Sequence, residues 1–278
     1  MLLNKRILLV LDQRDQACNA LQRCRLIAGR LHSPVTLVWL GDDGQKASEP
    51  VRQLESDGIS VTLETTSGDK LLTLLAKLLS QQPFGLLVKS CDPRRKGFMT
   101  SVDGQILREL PCPVLLVKRD QLWQDGVVMV AVNALAEDRH QLQLNDDLLK
   151  VAAQIALATG SSLAAAVACP SAMMGGEPQM QSEQLIQARA RQAAEAQLNR
   201  LQLQAQTLAV GEGPPEYWIP EVAGQLAARL VVIGTRARGG IQGLLIGNTA
   251  ERILPRLDCD ILVLRIGLSD AVLPVLQQ

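Results

Sequence analysis

The stretch "NTAERILPRLDCDILVLR", residues 248 to 265, has a counterpart earlier in the same chain. Residues 101 to 118 read "SVDGQILRELPCPVLLVK", and the two stretches align without a gap at a constant offset of 147 positions. A repeat of this kind predicts two copies of one structural unit. We place the domains at 1–121 and 126–278, with the boundary in the polar segment near Asp120 to Gly126. The matching positions are Ile106, Leu107, Leu110 and Cys112 in the first stretch and Ile253, Leu254, Leu257 and Cys259 in the second.

Each copy contains five apolar runs of strand length, separated by longer segments whose apolar residues recur with helical spacing. Near-continuous apolar strands that alternate with helices are typical of a parallel sheet covered on both faces. The sequence therefore predicts an α/β fold with two tandem doubly wound sheets of five parallel strands each. The predicted strands are 6–12, 35–40, 59–65, 84–90 and 113–118 in the first copy and 127–133, 163–170, 205–211, 229–235 and 260–265 in the second.

Doubly wound sheets bind ligands beyond the carboxyl ends of the strands, where the winding direction reverses. If strands one and four are neighbours at that point, the residues after "LLVLD" and "LLVKS" line one pocket in the first copy. In the second copy the corresponding residues follow "MVAVN" and "VVIGT". The glycine-rich loop that begins at Gly234 would then open at the centre of the second sheet, where a phosphate could bind.

The composition excludes several classes of partner. The chain has 278 residues, 47% of them hydrophobic and 2% aromatic, with 28 basic and 28 acidic residues. Zero net charge argues against nucleic-acid and anionic-membrane partners, whose affinity depends on uncompensated Lys and Arg. No apolar stretch approaches the roughly 20 residues that span a bilayer. Lys5 and Arg6 interrupt the first apolar run, which favours a strand over a signal peptide and predicts a cytoplasmic protein.

Cysteines and histidines give little indication of metal binding or catalysis. The six cysteines are dispersed without a C-x-x-C, and only His32 and His140 are present, so we expect no metal site. His32 lies near the end of a predicted helix and His140 in a polar segment, so neither is assigned as a general base. No catalytic residue is assigned. Cys91, close to Arg94 and Arg95, is the one thiol whose surroundings suggest a lowered pKa and a redox role.

Three stretches resemble the universal stress protein family in its tandem, two-domain form. They are "RILLVLD" (6–12), "VGEGPPEYWIPEVAGQLAARLVVIGTRARGG" (210–240) and "GLLIGNTAERILPRLDCDILVLR" (243–265). The resemblance implies an adenine nucleotide alpha hydrolase-like sheet in each copy, with strand order 3-2-1-4-5. It also implies that the two copies pair through their last strands as an intramolecular pseudo-dimer. Nucleotide-binding members have an aspartate at the end of strand one. Their loop reads Gly, two residues, Gly, nine residues, Gly, then Ser or Thr.

The second copy retains part of this pattern. Gly234 and Gly247 match, whereas Ala237 replaces the middle glycine, Asn248 the hydroxyl residue and Asn133 the strand-one aspartate. Glycines allow close backbone approach and positive φ, and helix N-terminal amides attract anions. ATP, another small anion, an apolar ligand and a tight connection whose glycines only permit packing all stay open for this loop. The candidate ligand residues are Asn133, Gly234, Thr235, Gly247, Asn248 and Thr249.

The first copy departs from the pattern in the opposite way. Asp12 is present at the end of strand one, but Lys89 stands where Gly234 does and Thr100 where Gly247 does. The loop is also shorter, with 11 positions from Lys89 to Thr100 against 13 from Gly234 to Gly247. Nucleotide binding in the family's manner is therefore not expected here. The basic cluster of Lys89, Arg94, Arg95 and Lys96 is either a solvated loop or a surface for an anionic ligand or partner, and Asp12 either pairs with it or caps the next helix.

The sequence and the resemblance together predict a non-enzymatic stress-response protein. Its second domain would carry a degenerate small-molecule or nucleotide pocket, and its first domain would be mainly a scaffold. The alternative is an ATP-binding, slowly hydrolysing nucleotide sensor that uses the loop from 234 to 249. The predicted partners are a small-molecule ligand and the other domain of the chain, with homo-oligomerisation left open.

Overall fold

The computed structural model describes residues 6–13, 19–41, 45–91, 101–172, 182–235 and 247–265. These residues divide into two compact units, with the division between Asp120 and Gln121. Each unit alternates strands with helices, and the strands within each unit are parallel. The exact domain limits predicted from the sequence stay a prediction, because both ends of the chain lie outside the described residues.

The first unit is a five-stranded parallel sheet in the order β3-β2-β1-β4-β5. Its strands are β1 (Arg6–Asp12), β2 (Val35–Leu40), β3 (Val61–Thr66), β4 (Phe84–Ser90) and β5 (Val114–Val117). Its helices are α1 (Asn19–Leu31), α2 (Ser48–Ser56), α3 (Leu71–Gln81) and α4 (Val102–Glu109). The predicted order 3-2-1-4-5 is found in this unit.

The second unit is a five-stranded parallel sheet in the order β8-β7-β6-β9-β10. Its strands are β6 (Val127–Ala131), β7 (Ser162–Cys169), β8 (Thr207–Glu212), β9 (Ala228–Thr235) and β10 (Asp260–Arg265). Its helices are α5 (Arg139–Thr159), α6 (Glu183–Arg200), α7 (Pro215–Gln225) and α8 (Asn248–Ile253). Numbered within the unit, the order is again 3-2-1-4-5.

The core of each unit is the central strand and its neighbours. In β1, the residues from Ile7 to Leu11 are at most 2% exposed, because strands flank β1 on both sides and helices cover its faces. In β6, the residues from Val128 to Val130 are fully buried for the same reason. Burial on both faces explains why these strands read as continuous apolar runs instead of alternating ones.

Local signals fix where the helices begin and end. The Asp138 carboxylate accepts hydrogen bonds from the backbone amides of His140 and Gln141, so it caps the N-terminus of α5. Gly160 ends the same helix with φ 65°, a left-handed conformation that favours glycine. The Ser101 hydroxyl accepts from the Gly104 amide and caps α4.

The predicted strands agree with the structure to within two residues at each end, and one of the largest differences lies at the end of β6. The sequence predicts a strand over 127–133, but β6 ends at Ala131. The Val132 amide still donates to the Ala166 carbonyl of β7, and the chain then turns, with the Ala136 amide donating to the Asn133 carbonyl. Asn133 is therefore the first residue of the turn after the strand.

No described helix is both long enough and apolar enough to cross a bilayer. Within the described ranges, no group of three or more His, Cys, Asp or Glu side chains is placed to hold a metal ion.

Candidate functional site

The candidate site lies at the carboxyl ends of β6 and β9, which are neighbours in the second sheet. Val130 pairs with Val232 in the register of these strands. Asn133 and Thr235 each follow three positions later, so both stand where the two strands end. The predicted neighbourhood of strands one and four is therefore present in this unit, at the edge where doubly wound sheets bind ligands.

Asn133 is exposed, and the buried side chain of Asn145 holds its backbone. The Asn145 amide nitrogen donates to the Asn133 carbonyl at 2.8 Å, and the Asn133 backbone amide donates to Asn145 Oδ1 at 3.3 Å. Gln141 Nε2 donates to the same Oδ1 at 3.1 Å. Asn145 is 0% exposed. This two-way contact fixes the turn and leaves the Asn133 side chain accessible at the strand end.

Asn145 is a residue that sequence reasoning missed. The available signal was polarity in the wrong place, because Asn145, Asp146 and Asp147 interrupt the apolar face of α5 between Leu144 and Leu148. Buried polar side chains are retained where they have hydrogen-bond partners. Each of the three has a hydrogen-bond partner, and the partner of Asn145 is the backbone of Asn133 in the candidate site.

Gly234 lies inside β9 with extended backbone, and helix α5 packs directly against it. A Cβ atom at this position would stand 2.6 Å from Leu144 Cδ2 and 3.0 Å from Leu148 Cδ1, and both leucines are buried. Any side chain there would have to displace α5 or the leucines. Of the open interpretations of this glycine, the geometry favours packing over a left-handed turn.

Thr235 is buried, and its hydroxyl is already engaged. Thr235 Oγ1 donates to the Leu264 carbonyl of β10 at 3.3 Å, and only 3% of the residue is exposed. Arg265 is the register partner of Thr235 on β10 and is also buried. The end of β9 is thus tied to β10 through the side chain that the sequence proposed for a ligand.

The last residues of the loop pattern, Gly247 to Thr249, lie at the start of α8. Gly247 precedes the helix with φ −57° and ψ 140°, angles that residues other than glycine adopt readily. Its carbonyl accepts from the Glu251 amide at 3.1 Å. Asn248 is the first residue of the helix, and Thr249 is exposed. Ala237 and the rest of the loop from 236 to 246 lie outside the described residues.

One contact from α8 and one from the 3-10 turn that follows it, Leu254–Arg256, reach α7. Arg252 donates to the Glu216 carboxylate at 3.0 Å, and the Arg256 guanidinium stands 4.4 Å from the centre of the Tyr217 ring. A hydrogen bond from its own backbone amide, followed by the Arg252 contact, holds the pKa of Glu216 below its usual value. These contacts orient the helix whose first turn contains Asn248 and Thr249.

A buried carboxylate joins α5 to α6 behind the site. Asp146 Oδ1 accepts from Gln197 Nε2 and from Arg200 Nη2, each at 2.6 Å. The hydrogen bond with Asp146 raises the pKa of Arg200 above its ordinary value. The charge-assisted bond explains how a carboxylate that is 8% exposed is accommodated in this position.

In the first unit, the position that corresponds to Gly234 is filled by an internal ion pair. Lys89 Nζ lies 2.8 Å from Asp103 Oδ1, and the side chains are 12% and 4% exposed. Lys89 Nζ also donates to the Ser90 carbonyl at 2.7 Å, and Ser90 Oγ accepts from the Ala20 amide of α1. Asp103 lies in the first turn of α4, where a carboxylate is favoured by the helix dipole. The protein's own charges therefore occupy this strand end.

The remaining members of the predicted basic cluster, Arg94, Arg95 and Lys96, lie outside the described residues, as does Thr100. Lys89 itself does not belong to an exposed basic surface, because it is mostly buried and paired with Asp103. Asp12 ends β1, where the sequence predicted it, and it is half-buried and has an electrostatic or hydrogen-bond partner.

The hypothesis that Cys91 has a lowered pKa is wrong. Burial, and next the carboxylate of Asp103, raise the pKa of the Cys91 thiol to about 12, while Lys118 and Lys89 oppose this only in part. The acidic neighbour comes from α4, which the local sequence around Cys91 does not reveal. A thiolate nucleophile at this position is disfavoured. His32 and His140 are both exposed.

Comparison with known proteins agrees with the fold. Residues 141–265 match the profile of the universal stress protein family. Universal stress protein E homolog from Haemophilus influenzae is 32% identical over 184 residues, which cover 62% of this chain and 58% of that protein. The chain thus spans less than two thirds of that curated relative.

Solved structures cover more of the chain. The crystal structure of a candidate universal stress protein from Pseudomonas aeruginosa UCBPP-PA14 is 31% identical, with a TM-score of 0.79, and covers 94% of this chain and 93% of that one. A universal stress protein from Archaeoglobus fulgidus DSM 4304 has a TM-score of 0.64 at 16% identity, covers 94% of this chain and 98% of that one, and shows the shared fold alone. The fold defines an α/β protein built on parallel strands, with a candidate site at the ends of β6 and β9. The chain belongs to the universal stress protein family, which supports a function in the stress response.

Proposed function

We propose that the protein acts in the stress response without catalysing a reaction, and that its second unit binds a small molecule at the ends of β6 and β9. The first unit is a scaffold in this proposal. Asn133, Gly247, Asn248 and Thr249 would contact the ligand, and Asn145 would position Asn133. Gly234 and Thr235 would shape the floor of the site without touching the ligand.

The packing of Leu144 against Gly234 is the observation that carries this proposal. The first glycine of the family's loop is needed here to admit α5, so its presence is no evidence for a phosphate. Asn133 in place of the strand-one aspartate removes one contact that nucleotide-binding members use, and Gly234 gives no separate support for another. The exposed positions of both histidines give no support to a general base.

The second candidate function is a slow ATP-hydrolysing sensor. It is favoured by one feature, which is that Gly247 still precedes the N-terminus of α8, where backbone amides can bind an anion. In this alternative ATP is the cofactor, and Asn248 and Thr249 supply the donors near its phosphates. Both candidates use the same strand ends and differ in the occupant and in whether the protein hydrolyses it.

Isothermal titration of the full chain with ATP and Mg²⁺ distinguishes the two candidates. The proposed function predicts no heat of binding at ATP concentrations up to about 1 mM. Micromolar binding that Gly247→Val weakens by tenfold or more would establish the nucleotide candidate instead. Because Gly247 has φ −57°, valine is compatible with its backbone, so lost binding would report on the ligand contact.

Gly224→Ala is the matched control for that titration. Gly224 lies in α7 of the same unit, is exposed, and would place a new Cβ in open space. The control should bind as the wild-type chain does in either case. Circular dichroism of both variants establishes that they are folded before the titrations are compared.

The remaining parts of the proposal concern partners and location. We propose that the two copies pair through their last strands as an intramolecular pseudo-dimer, as the family resemblance implies, and that the protein is cytoplasmic. The balance of 28 basic and 28 acidic residues supports the expectation that neither nucleic acid nor an anionic membrane is a partner.

A further inference from the structure

Strand β3 leaves one side of its backbone without a neighbouring strand among the described residues. It pairs with β2 alone, through hydrogen bonds that include Val35 N to the Ser60 carbonyl at 2.8 Å and Gly41 N to the Thr66 carbonyl at 3.2 Å. In a parallel pair of strands, the backbone groups of successive residues point alternately toward the neighbouring strand and away from it. The backbone groups of Val61, Leu63 and Thr65 therefore point outward, away from β2.

The apolar interior of the first sheet continues to this edge. Leu9, Leu37 and Leu63 are register partners on β1, β2 and β3, so their side chains form one row across the sheet. Leu9 and Leu37 are fully buried, whereas Leu63 is 41% exposed. The row ends at an exposed leucine on a strand that also exposes Thr62 and Thr65.

The corresponding edge of the second unit is covered. No residue of β8 from Thr207 to Val210 is exposed. Proteins protect edge strands with charged side chains, prolines or covering elements, because bare edges pair with other chains. The sequence of β3, "VTLETT", contains one charged residue, Glu64, and no proline.

We propose that β3 is a homotypic docking edge, at which two copies of this chain pair their β3 strands antiparallel about a twofold axis through Leu63. Leu63 then faces Leu63 of the second copy, and Val61 faces Thr65, with the outward backbone groups of all three forming hydrogen bonds. The apolar row that ends at Leu63 becomes continuous across the two sheets.

Charge complementarity supports a second copy as the occupant. In this register Thr62 faces Glu64 of the other chain in a non-hydrogen-bonded pair, whose side chains lie close together. Arg6 Nη1 already donates to Thr62 Oγ1 at 3.3 Å, so its guanidinium lies beside the position that the second Glu64 would take. The twofold axis makes this Arg6–Glu64 contact twice.

Sedimentation of the full chain over protein concentrations from about 5 to about 500 μM tests the proposal. We expect a reversible monomer-to-dimer transition. Arg6→Glu alone places like charges opposite each other and should weaken the dimer by about tenfold or more, as should Glu64→Arg alone. An equimolar mixture of the two variants should form a heterodimer with about the wild-type affinity.

A cross-linking experiment locates the contact. In a hydrogen-bonded antiparallel pair the two Cα atoms are about 5.5 Å apart, which a disulfide can span. Oxidised Leu63→Cys should therefore form a covalent dimer, whereas Leu157→Cys, at a leucine on α5 that is 86% exposed, should not. A chain that stays monomeric at every concentration overturns the proposal. So does a dimer that cross-links at position 157 but not at 63, or one whose mixed charge variants fail to associate.

Discussion

Trp123 Nε1 donates a hydrogen bond to Asp260 Oδ2 at 2.8 Å, which joins the segment before β6 to the first residue of β10. Trp123 is 1% exposed and Asp260 is fully buried. The Trp123 carbonyl in turn accepts from the Ser161 hydroxyl and from the Gly126 amide. Trp123, which lies in the segment that the sequence assigns to the domain boundary, is thus part of the core of the second unit.

Trp123→Phe should lower the free energy of unfolding by about 1 to 3 kcal/mol, because it removes a donor from a buried carboxylate. Urea denaturation followed by circular dichroism measures the change. Leu122→Ala is the control at the adjacent position, where the leucine is 62% exposed, and it should change stability by less than about 0.5 kcal/mol. Equal stability of Trp123→Phe and the wild type would show that the hydrogen bond contributes nothing.

Gly234→Ala should destabilise the protein by about 1 to 3 kcal/mol, since the new Cβ overlaps Leu144 in a packed interior. Adding Leu144→Ala removes the overlapping atoms, so the double variant should lose less stability than the sum of the two single variants. Gly224→Ala, in open space on α7, should be neutral or slightly stabilising. If Gly234→Ala is as stable as the wild type, packing does not require this glycine, and a ligand contact becomes the favoured explanation for it.

Asn145→Ala should release the turn at Asn133 and cost about 1 to 3 kcal/mol, because it leaves the Asn133 carbonyl and amide without their buried partner. Hydrogen exchange should accelerate over residues 133 to 136, relative to the wild-type chain. Asn199→Ala, at an exposed asparagine on α6, serves as the control and should leave exchange at the turn unchanged. Protected amides in Asn145→Ala would contradict the positioning role.

Cys91 should react with iodoacetamide at least about 100-fold more slowly than free cysteine at pH 8, because the thiolate fraction falls tenfold for each unit by which the pKa exceeds the pH. Its pKa is raised to about 12, against 9.0 for an unperturbed thiol. Mass spectrometry of the alkylated peptide measures the rate at this residue. Reaction as fast as that of free cysteine would restore the reactive-thiol hypothesis.

The raised pKa of Cys91 also makes the stability of the protein depend on pH. A folded pKa above the unfolded one favours the protonated thiol, so the contribution of Cys91 to stability is complete below pH 9 and is lost as pH rises toward 12. Cys91→Ser should therefore reduce the loss of stability between these pH values. The urea midpoint of the two proteins as a function of pH provides the comparison.

The strands were predictable because burial on both faces leaves a local signature. β1, β2, β4 and β10 have the predicted limits, since each is an apolar run bounded by polar residues or proline. The neighbourhood of β6 and β9 was also predicted correctly, because it follows from the order of parallel strands.

The roles of individual site residues were not predictable, because each depends on a partner that is distant in sequence. The loop pattern suggested a phosphate contact at Gly234, but Leu144 lies 90 positions earlier and decides what that glycine accommodates. The basic residues near Cys91 suggested an activated thiol, but Asp103 of α4 and burial decide its protonation.

The sequence by itself determined the repeat, the alternation of strands and helices, and the family, because periodic apolar runs and motif spacing are properties of neighbouring residues. Tertiary structure alone decided that Trp123 belongs to a core and that Asn145 holds Asn133. It also decided that Leu63 ends an apolar row on a strand that has one neighbouring strand in the described part of the chain. These facts depend on which side chains approach one another after folding. A side chain's function in this protein is set by those approaches, and local spacing does not encode them.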